Sequence, residues 1–360
     1  MGNICKHLTN LGKEEGASSL PLKKVYMENF TVFETVEMDF CDGLNVFIGD
    51  NGTGKTHVMK LLYAACQAAQ VKSTAVDFPQ KIVRVFRPSE FNIGRLVSRK
   101  VGNSISKIRI ESDTTALQAS FDRRTKRWDA EVTGMQAWER QHEDLRSTFI
   151  PAKEILSNAR NLVQAIDKGN VDFDDTYKDI ISAASVDVSR GPDTDRKKRY
   201  LGRLQGITHG RVRFENEEFY MLPTGQSQSK LEFHLVAEGL RKIALLWQLI
   251  KNGTLEQGAI LFWDEPDANI NPRHIPDIVD LLLELQRDGV QIFVATHDYF
   301  FAKYLEARIN KSDEIKYHAL YKSGNSVRYE WAKEFALLEN NEILKQSINL
   351  YKEEVRKVME

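Results

Sequence analysis

Apolar and polar positions alternate with a period of two through "KKVYMENF" and "VFETVEMDF" from Leu22 onward, which predicts two half-buried strands. The unbroken apolar "LNVFIG" that follows predicts a strand buried on both faces. The period then changes. In "KTHVMKLLYAACQAAQ", Val58, Leu61, Leu62 and Ala65 recur at helical spacing, so a strand, a glycine-rich turn and a helix succeed one another. "SKIRIES", "ALQASFD" and "RWDAEVT" predict an antiparallel sheet whose turn carries Arg123, Arg124, Lys126 and Arg127. "STFIPAKEILS" starts as a strand and turns helical. From Ala152 to Gln205 the pattern is mostly helical and polar, broken by "SRGPDTDRKKRY", which predicts an exposed loop. "RVRFENEEFYML" predicts a hairpin turning near Asn216, and "AILFW" and "VQIFVAT" are further buried strands on either side of the helical "IPDIVDLLLELQRDG".

Two helical patterns carry a question. "LVAEGLRKIALLWQL" is apolar from Ile243 onward, yet Glu238, Gly239 and Arg241 stand near its start. Glycine costs about 1 kcal/mol against alanine inside a helix, so Gly239 predicts a close backbone approach to something. In "NEILKQSINLYKEEVRKVME", Leu344, Ile348, Tyr351, Val355 and Val358 recur at steps of four and three. That stripe is expected to pack on its own domain, with a coiled-coil partner as the alternative.

Composition narrows the class. The 360 residues are 42% hydrophobic and support a buried core. Lys and Arg number 50 against 51 Asp and Glu, a formal charge of -1, so any attraction to nucleic acid or membrane must come from a local surface. Cys5, Cys41 and Cys66 show neither zinc-ligand nor disulfide-framework spacing, which fits a reducing, cytoplasmic setting. No apolar run approaches the roughly 18 residues of a membrane span. Residues 1–21 read as a flexible polar leader. Gly2 near Cys5 leaves lipidation as an alternative, although Lys6 stands where that pattern has Ser or Thr.

The chemistry is concentrated in three places. "GDNGTGKT", Gly49 to Thr56, matches a phosphate loop in its required setting between strand and helix. Gly49, Asn51, Gly52, Thr53 and Gly54 would curl backbone N–H groups around phosphates, Lys55 adds a point charge, and Thr56 offers a hydroxyl to Mg2+. "AILFWDEP" ends a buried strand in Asp264, a second Mg2+ ligand, and Glu265, which would polarise an attacking water. "VQIFVATHD" brings His297 to the end of another strand, as a candidate γ-phosphate sensor.

Together "NFTVFETVEMDF", "LNVFIGDNGTGKT", "VAEGLRK", "LFWDEPDANINP" and "VATHD" resemble an ABC-type ATPase of the SMC, RecF and OLD-like branch. The resemblance runs from about Leu22 to Phe300. It implies an α/β fold, a P-loop ABC-type ATPase head with an antiparallel β subdomain and a short helical insertion, and ATP with Mg2+ as cofactors. In that family two heads sandwich two nucleotides, so it implies a homodimer or higher oligomer in which Glu238 and Gly239 contact the nucleotide of the neighbouring subunit. Gly239 is then expected to let that phosphate come close.

The chain departs from the family pattern. Ala237-Glu238-Gly239-Leu240 replaces the serine-glycine-glycine-glutamine core, Asn271 stands where the D-loop has aspartate, and no glutamine is assigned to a Q-loop. In these respects it resembles compact bacterial ATPases found with effector nucleases in anti-phage systems, including the PARIS component. "STFIPAKEILS" and "FDDTY" (Phe173 to Tyr177) point the same way.

The expected organisation is a leader (1–21), the N-terminal part of the head (22–151), a helical insertion (152–205), the C-terminal part of the head (206–330) and a terminal helix (331–360). No long heptads separate the nucleotide motifs, which argues against an SMC arm. The implied function is an ATP-hydrolysing switch controlling a separate effector, a nuclease or toxin. The alternative is a RecF-like DNA-binding clamp, in which Arg123 to Arg127 and Arg196 to Arg199 contact phosphates rather than forming solvated loops.

Overall fold

A computed structural model describes residues 21–359, apart from 71–75, 100–103, 161, 169–170, 189–190, 227–228 and 325. The leader to residue 20, with Gly2, Cys5 and Lys6, lies outside the described residues. β1 (Leu22–Phe30) and β2 (Phe33–Asp39) form a hairpin, and β3 (Leu44–Gly49) runs into the glycine-rich loop. β4 (Ile105–Ser112), β5 (Ala116–Asp122) and β6 (Glu131–Thr133) return to the hairpin and complete a five-stranded antiparallel sheet in the order β2-β1-β4-β5-β6. β7 (Ser147–Ile150) belongs to a different sheet. β8 (Gly210–Glu215), β9 (Glu218–Pro223) and β10 (Leu231–Glu232) make a small antiparallel sheet, its hairpin turning through Asn216 and Glu217, both at positive φ as a two-residue turn requires.

β11 (Ile260–Asp264), β12 (Gln291–Ala295), β13 (Ile315–Ser323) and β14 (Ser326–Ala332) join β3 and β7 in the core sheet, ordered β14-β13-β3-β12-β11-β7. Every neighbouring pair is parallel except β13 with β14. The continuous apolar runs of β3, β11 and β12 are explained by burial on both faces. On one face Phe149, Phe262, Phe293 and Phe47 form a row across four strands, with stacked centroid separations of 6.2, 5.0 and 6.4 Å. The helix Lys55–Ala68 packs over this row through Tyr63, whose ring lies 5.5 Å from that of Phe149. On the opposite face the helices Glu238–Lys251 and Ile275–Arg287 bury Leu246, Leu249, Leu281 and Leu282 against Leu261, Trp263 and Val294.

The segment 152–205 joins the core through Ile180, Ile181 and Leu204 and is also attached by charge. Asp174 pairs with Lys60 at 2.6 Å, Asp179 with Lys81 at 2.6 Å, and Asp172 with Arg87 at 2.5 Å, while Tyr63 donates to Asp179 at 2.8 Å. The acids of the "DFDDTYKD" stretch are thereby docked onto the helix behind the phosphate loop and onto the helix Phe78–Phe86.

Two sequence expectations are corrected. The basic stretch placed in an exposed loop lies within the helix Asp195–Thr208, because Thr194 caps Lys197 N–H and Tyr200, Leu201, Leu204 and Ile207 bury one face. The terminal stripe does not pack on its own domain beyond its first turn: Leu344 meets the core, but Ile348, Tyr351, Val355 and Val358 of the helix Glu342–Met359 are exposed. No helix among the described residues is long and apolar enough to cross a membrane.

The phenylalanine row predicts a stability result. Phe262→Ala removes a fully buried ring between two stacked neighbours and should cost about 3–5 kcal/mol in urea unfolding. Phe300→Ala, at a position 56% exposed, should stay within about 0.5 kcal/mol of the parent, and equal losses from the two would contradict the packing described.

Candidate functional site

Equal register brings four segments to one edge of the core sheet. Leu320 is level with Gly49, Asp264 with Ala295, Ala295 with Phe47, and Trp263 with Ile150. The chain leaving each parallel strand therefore emerges beside its neighbours: the glycine-rich loop after β3, Glu265 after β11, Thr296 and His297 after β12, and Pro151 to Glu154 after β7. Open parallel sheets place ligands at this edge.

The loop is shaped by sterics as well as sequence. Gly54 caps the helix Lys55–Ala68 at φ 95°, and a Cβ there would stand 2.5 Å from Phe33 Cζ, so no other residue fits without a shift. The first turn of that helix carries no acidic residue, which leaves its positive end uncompensated at the loop. Thr53 donates to the Asp50 carbonyl at 2.8 Å. The Lys55 ammonium donates to the Gly49 and Asp50 carbonyls at 2.6 and 3.0 Å. Burial lowers its pKa, opposed by the charges of Asp264, Glu265 and Asp50.

At the foot of the loop the Thr56 hydroxyl donates to Asp264 Oδ2 at 2.9 Å, across 208 residues of sequence. Burial pushes the Asp264 carboxyl up to about 6; the bond from Thr56 works against that shift, and the charge of Glu265 adds to it. Two hard oxygen donors in contact, one of them a buried carboxylate that a cation would relieve, fit Mg2+. Among the described residues no group of three His, Cys, Asp or Glu side chains is placed to hold a metal ion unaided.

Glu265 takes a positive φ of 51°, held by its N–H bond to the Ala295 carbonyl at 2.9 Å. Its carboxylate meets His297 Nδ1 at 3.5 Å, so the residues leaving β11 and β12 touch through their side chains. Thr296 donates to Asp267 at 2.6 Å and secures the next stretch of the same loop.

Glu238 and Gly239 make their contacts elsewhere. Asn269 donates to Glu238 Oε1 at 2.9 Å, and a Cβ on Gly239 would stand 2.4 Å from the Asn269 carbonyl oxygen. The close approach that the glycine announces is therefore to the chain's own backbone, and a second subunit is not needed to account for it.

Several contacts at this edge are not given by the sequence. Lys242 is almost wholly buried; its ammonium donates to the Ala268 carbonyl at 3.0 Å and reaches the Glu265 carbonyl at 3.5 Å, joining the helix Glu238–Lys251 to the carboxylate loop. Its position three, four and seven residues before Leu245, Leu246 and Leu249 was the available signal: a charge in the buried stripe. Arg241 pairs with the buried Glu154 at 2.7 Å, tying the same helix to the segment after β7, where no glutamine occurs. Lys322 Nζ lies 3.9 Å from where a Cβ on Gly52 would stand. Tyr177 of the insertion is pushed up to about 12 by burial, then by the charges of Asp174 and Asp264.

The two basic stretches differ. Arg196, Lys197 and Lys198 are engaged with Asp288, Glu256 and Asp195 at 2.7, 3.5 and 3.1 Å. Arg123 bonds the Ser98 carbonyl at 2.6 Å, whereas Arg124 and Lys126 are exposed with no ion pair among the described residues.

A family model described as "AAA domain, putative AbiEii toxin, Type IV TA system" matches residues 44–302. The chain is similar to DNA replication and repair proteins RecF: 27% identical over 101 residues to that of Mannheimia succiniciproducens, 25% of this chain and 27% of the relative. For Clostridium botulinum the figures are 33% over 79 residues, 22% and 21%. The chain thus spans less than a third of these relatives' length. Among solved structures, an SMC head bound to the C-winged helix domain of ScpA aligns over 87% of this chain and 97% of its own, at 13% identity and a TM-score of 0.55. An SMC head with an extended coiled coil, bound to the C-terminal domain of ScpA derived from Pyrococcus furiosus, aligns over 93% and 99%, at 12% identity and a TM-score of 0.52. These structures share the α/β head fold. The broader resemblance to SMC and RecF is the one these relatives carry; the PARIS likeness is not carried by them.

Two outcomes follow from this geometry. Gly239→Ala should destabilise the chain by about 1–3 kcal/mol through overpacking against Asn269, read by urea unfolding, and a neutral result would contradict the approach. For Asp264, a carboxyl raised from 3.8 to about 6 on folding, the associated stability is present below the lower value and lost as pH rises through the upper. The melting temperature of Asp264→Asn, measured without nucleotide, should therefore rise relative to the parent between about pH 4 and pH 7, and a flat difference would refute the shift.

Proposed function

Because this chain belongs to the AbiEii-like AAA-domain family, we propose that it is a Mg2+-dependent ATP-hydrolysing switch whose heads dimerise on ATP and control a separate effector, a toxin or nuclease, in the cytoplasm. The observation that carries the proposal is the Thr56–Asp264 contact beneath the glycine-rich loop. Two hard-oxygen ligands contributed from opposite ends of the chain are what a phosphate-bound Mg2+ requires, and a purely structural turn has no need of them.

In this reading Gly49 to Gly54 bind the phosphates through backbone N–H groups, and Lys55 turns from its carbonyl partners to a phosphate oxygen. Thr56 and Asp264 hold Mg2+, which when bound neutralises phosphate charge. Glu265 orients the attacking water and takes up its proton, while His297, in reach of Glu265, monitors the γ-phosphate. Glu238 and Gly239 form the face that completes the partner's site. The head comprises residues 22–151 and 206–330, with 152–205 as its inserted lobe, while 331–360, expected as a helix throughout, holds the end of β14 and the terminal helix Glu342–Met359. Lys242, in contact with the carboxylate loop, and Arg241, paired with Glu154, link nucleotide state to the helix Glu238–Lys251. The family's description, which places such domains in a Type IV TA system, is in keeping with a defensive setting. Of the clamp alternative, the Arg196 stretch is weakened by its internal ion pairs.

Glu265→Gln should retain ATP binding, lose turnover by about 100-fold or more, and accumulate as an ATP-bound dimer in light scattering. Composite sites are tested by mixing Lys55→Ala with Ala237→Arg; Ala237 is exposed at the N-cap of the helix Glu238–Lys251, so the arginine obstructs a partner without an internal clash. Recovery of activity toward a quarter of the parent supports the dimer. Inactivity of a mixture shown to co-assemble would sink it.

A further inference from the structure

A groove lies beside the antiparallel sheet. The turn after β5 and the segment 89–96 are fastened together by Ile93 N–H to the Arg127 carbonyl at 2.6 Å, Gly94 N–H to the Thr125 carbonyl at 3.3 Å, and Arg127 N–H to Asn92 Oδ1 at 2.7 Å. Between them and the start of the helix Phe78–Phe86 opens a groove of about 860 Å³, whose lining includes Trp128, Lys126, Arg127, Glu90, Asp129 and Met135. That volume is in the range of specific ligand sites.

Three features set it apart from an ordinary crevice. Glu90, Phe91 and Arg127 have φ of 59, 52 and 49°, so three non-glycine residues hold left-handed backbone at the groove and its margin. Such strain persists only where surrounding contacts enforce it, and it concentrates at working sites. Large aromatic rings are also left in solvent: Trp128 is 39% and Phe91 43% exposed, each with an arginine over its face, Arg127 at 6.0 Å and Arg87 at 5.4 Å. Finally, the cations are available. Lys126 and Arg127 line the groove and Arg124 stands in the same turn, none with an ion pair among the described residues, beside the acids Asp77, Glu90 and Asp129 of the lining.

We infer that this groove binds single-stranded nucleic acid, stacking a base on Trp128 while Arg124, Lys126 and Arg127 contact the flanking phosphates. Exposed aromatics with an adjacent cationic track suit unpaired bases, whose faces are free, and do not suit a duplex, whose faces are already stacked. Carboxylates at Glu90 and Asp129 can accept from exocyclic amino groups of a base, a role that an acidic peptide ligand would leave without use. The site uses none of the residues at the phosphate loop, so its success or failure is separate from the ATPase reading.

The test is fluorescence anisotropy of the full chain with labelled DNA and RNA single strands of about 15 nucleotides and with the matching duplex. Single strands should bind at least about ten-fold tighter than duplex, with the DNA and RNA arms ranking the two strand chemistries. Trp128→Ala should weaken binding by about 5- to 100-fold, with recovery in Trp128→Phe. Arg124→Gln combined with Lys126→Gln, both exposed, should reduce the dependence of log affinity on log salt by about 1.4, and this arm stands if Trp128→Ala fails to fold. Lys55→Ala should bind normally. Equal affinity for duplex, Trp128→Ala within two-fold of the parent while still folded, an unchanged salt slope in the double variant, or displacement by poly-glutamate at equal charge would overturn the assignment.

Discussion

Parallel register in the core sheet is the constraint on which the site depends. Asp264, Ala295 and Phe47 are level across three strands, and Leu320 is level with Gly49 on the fourth. A slip of one residue would reverse the side chains of a strand and separate Thr56 from Asp264. The phenylalanines at 149, 262, 293 and 47 resist such a slip, since each must fall on the same face to stack with the next. The packing of the sheet and the chemistry at its edge are in this sense one arrangement.

Charge is used in two places. Along residues 172–179, Asp172, Asp174 and Asp179 meet Arg87, Lys60 and Lys81, while burial still pushes the Asp179 carboxyl up against the pull of Lys81. At the sheet edge, burial likewise pushes Asp264 up and Lys55 and Lys242 down, a desolvation cost that only partial pairing offsets. Groups held in this state respond to an incoming charge, which is why perturbed carboxylates and lysines collect where ligands bind. Lys242 touches the Glu265 loop and Arg241 pairs with Glu154, so the helix that carries Glu238 and Gly239 is mechanically joined to two of the four segments at that edge.

Much of this was legible in the chain. The buried strands at "LNVFIG", "AILFW" and "VQIFVAT" announce themselves as apolar runs, and the phosphate loop is legible because its glycines, lysine and threonine must follow at fixed spacing between strand and helix. Arg196 to Arg199 were misread because a local run of charge looks like a loop; helix formation there depends on the Thr194 cap and on distant packing of Leu204 and Ile207. Trp128 and Phe91 gave no periodic signal, since their exposure arises where two irregular segments dock.

Local order of residues by itself determined the elements, the phosphate loop and the identity of the carboxylates, because these depend on side-chain period, glycine conformation and short spacing. Only the tertiary structure decided which of them meet. Thr56 and Asp264 are 208 positions apart, and no local rule measures that distance. The same holds for Gly239. Its presence was a legible anomaly, but its cause, the carbonyl of Asn269 arriving from the far side of β11, exists only once the sheet has set the register of the chain.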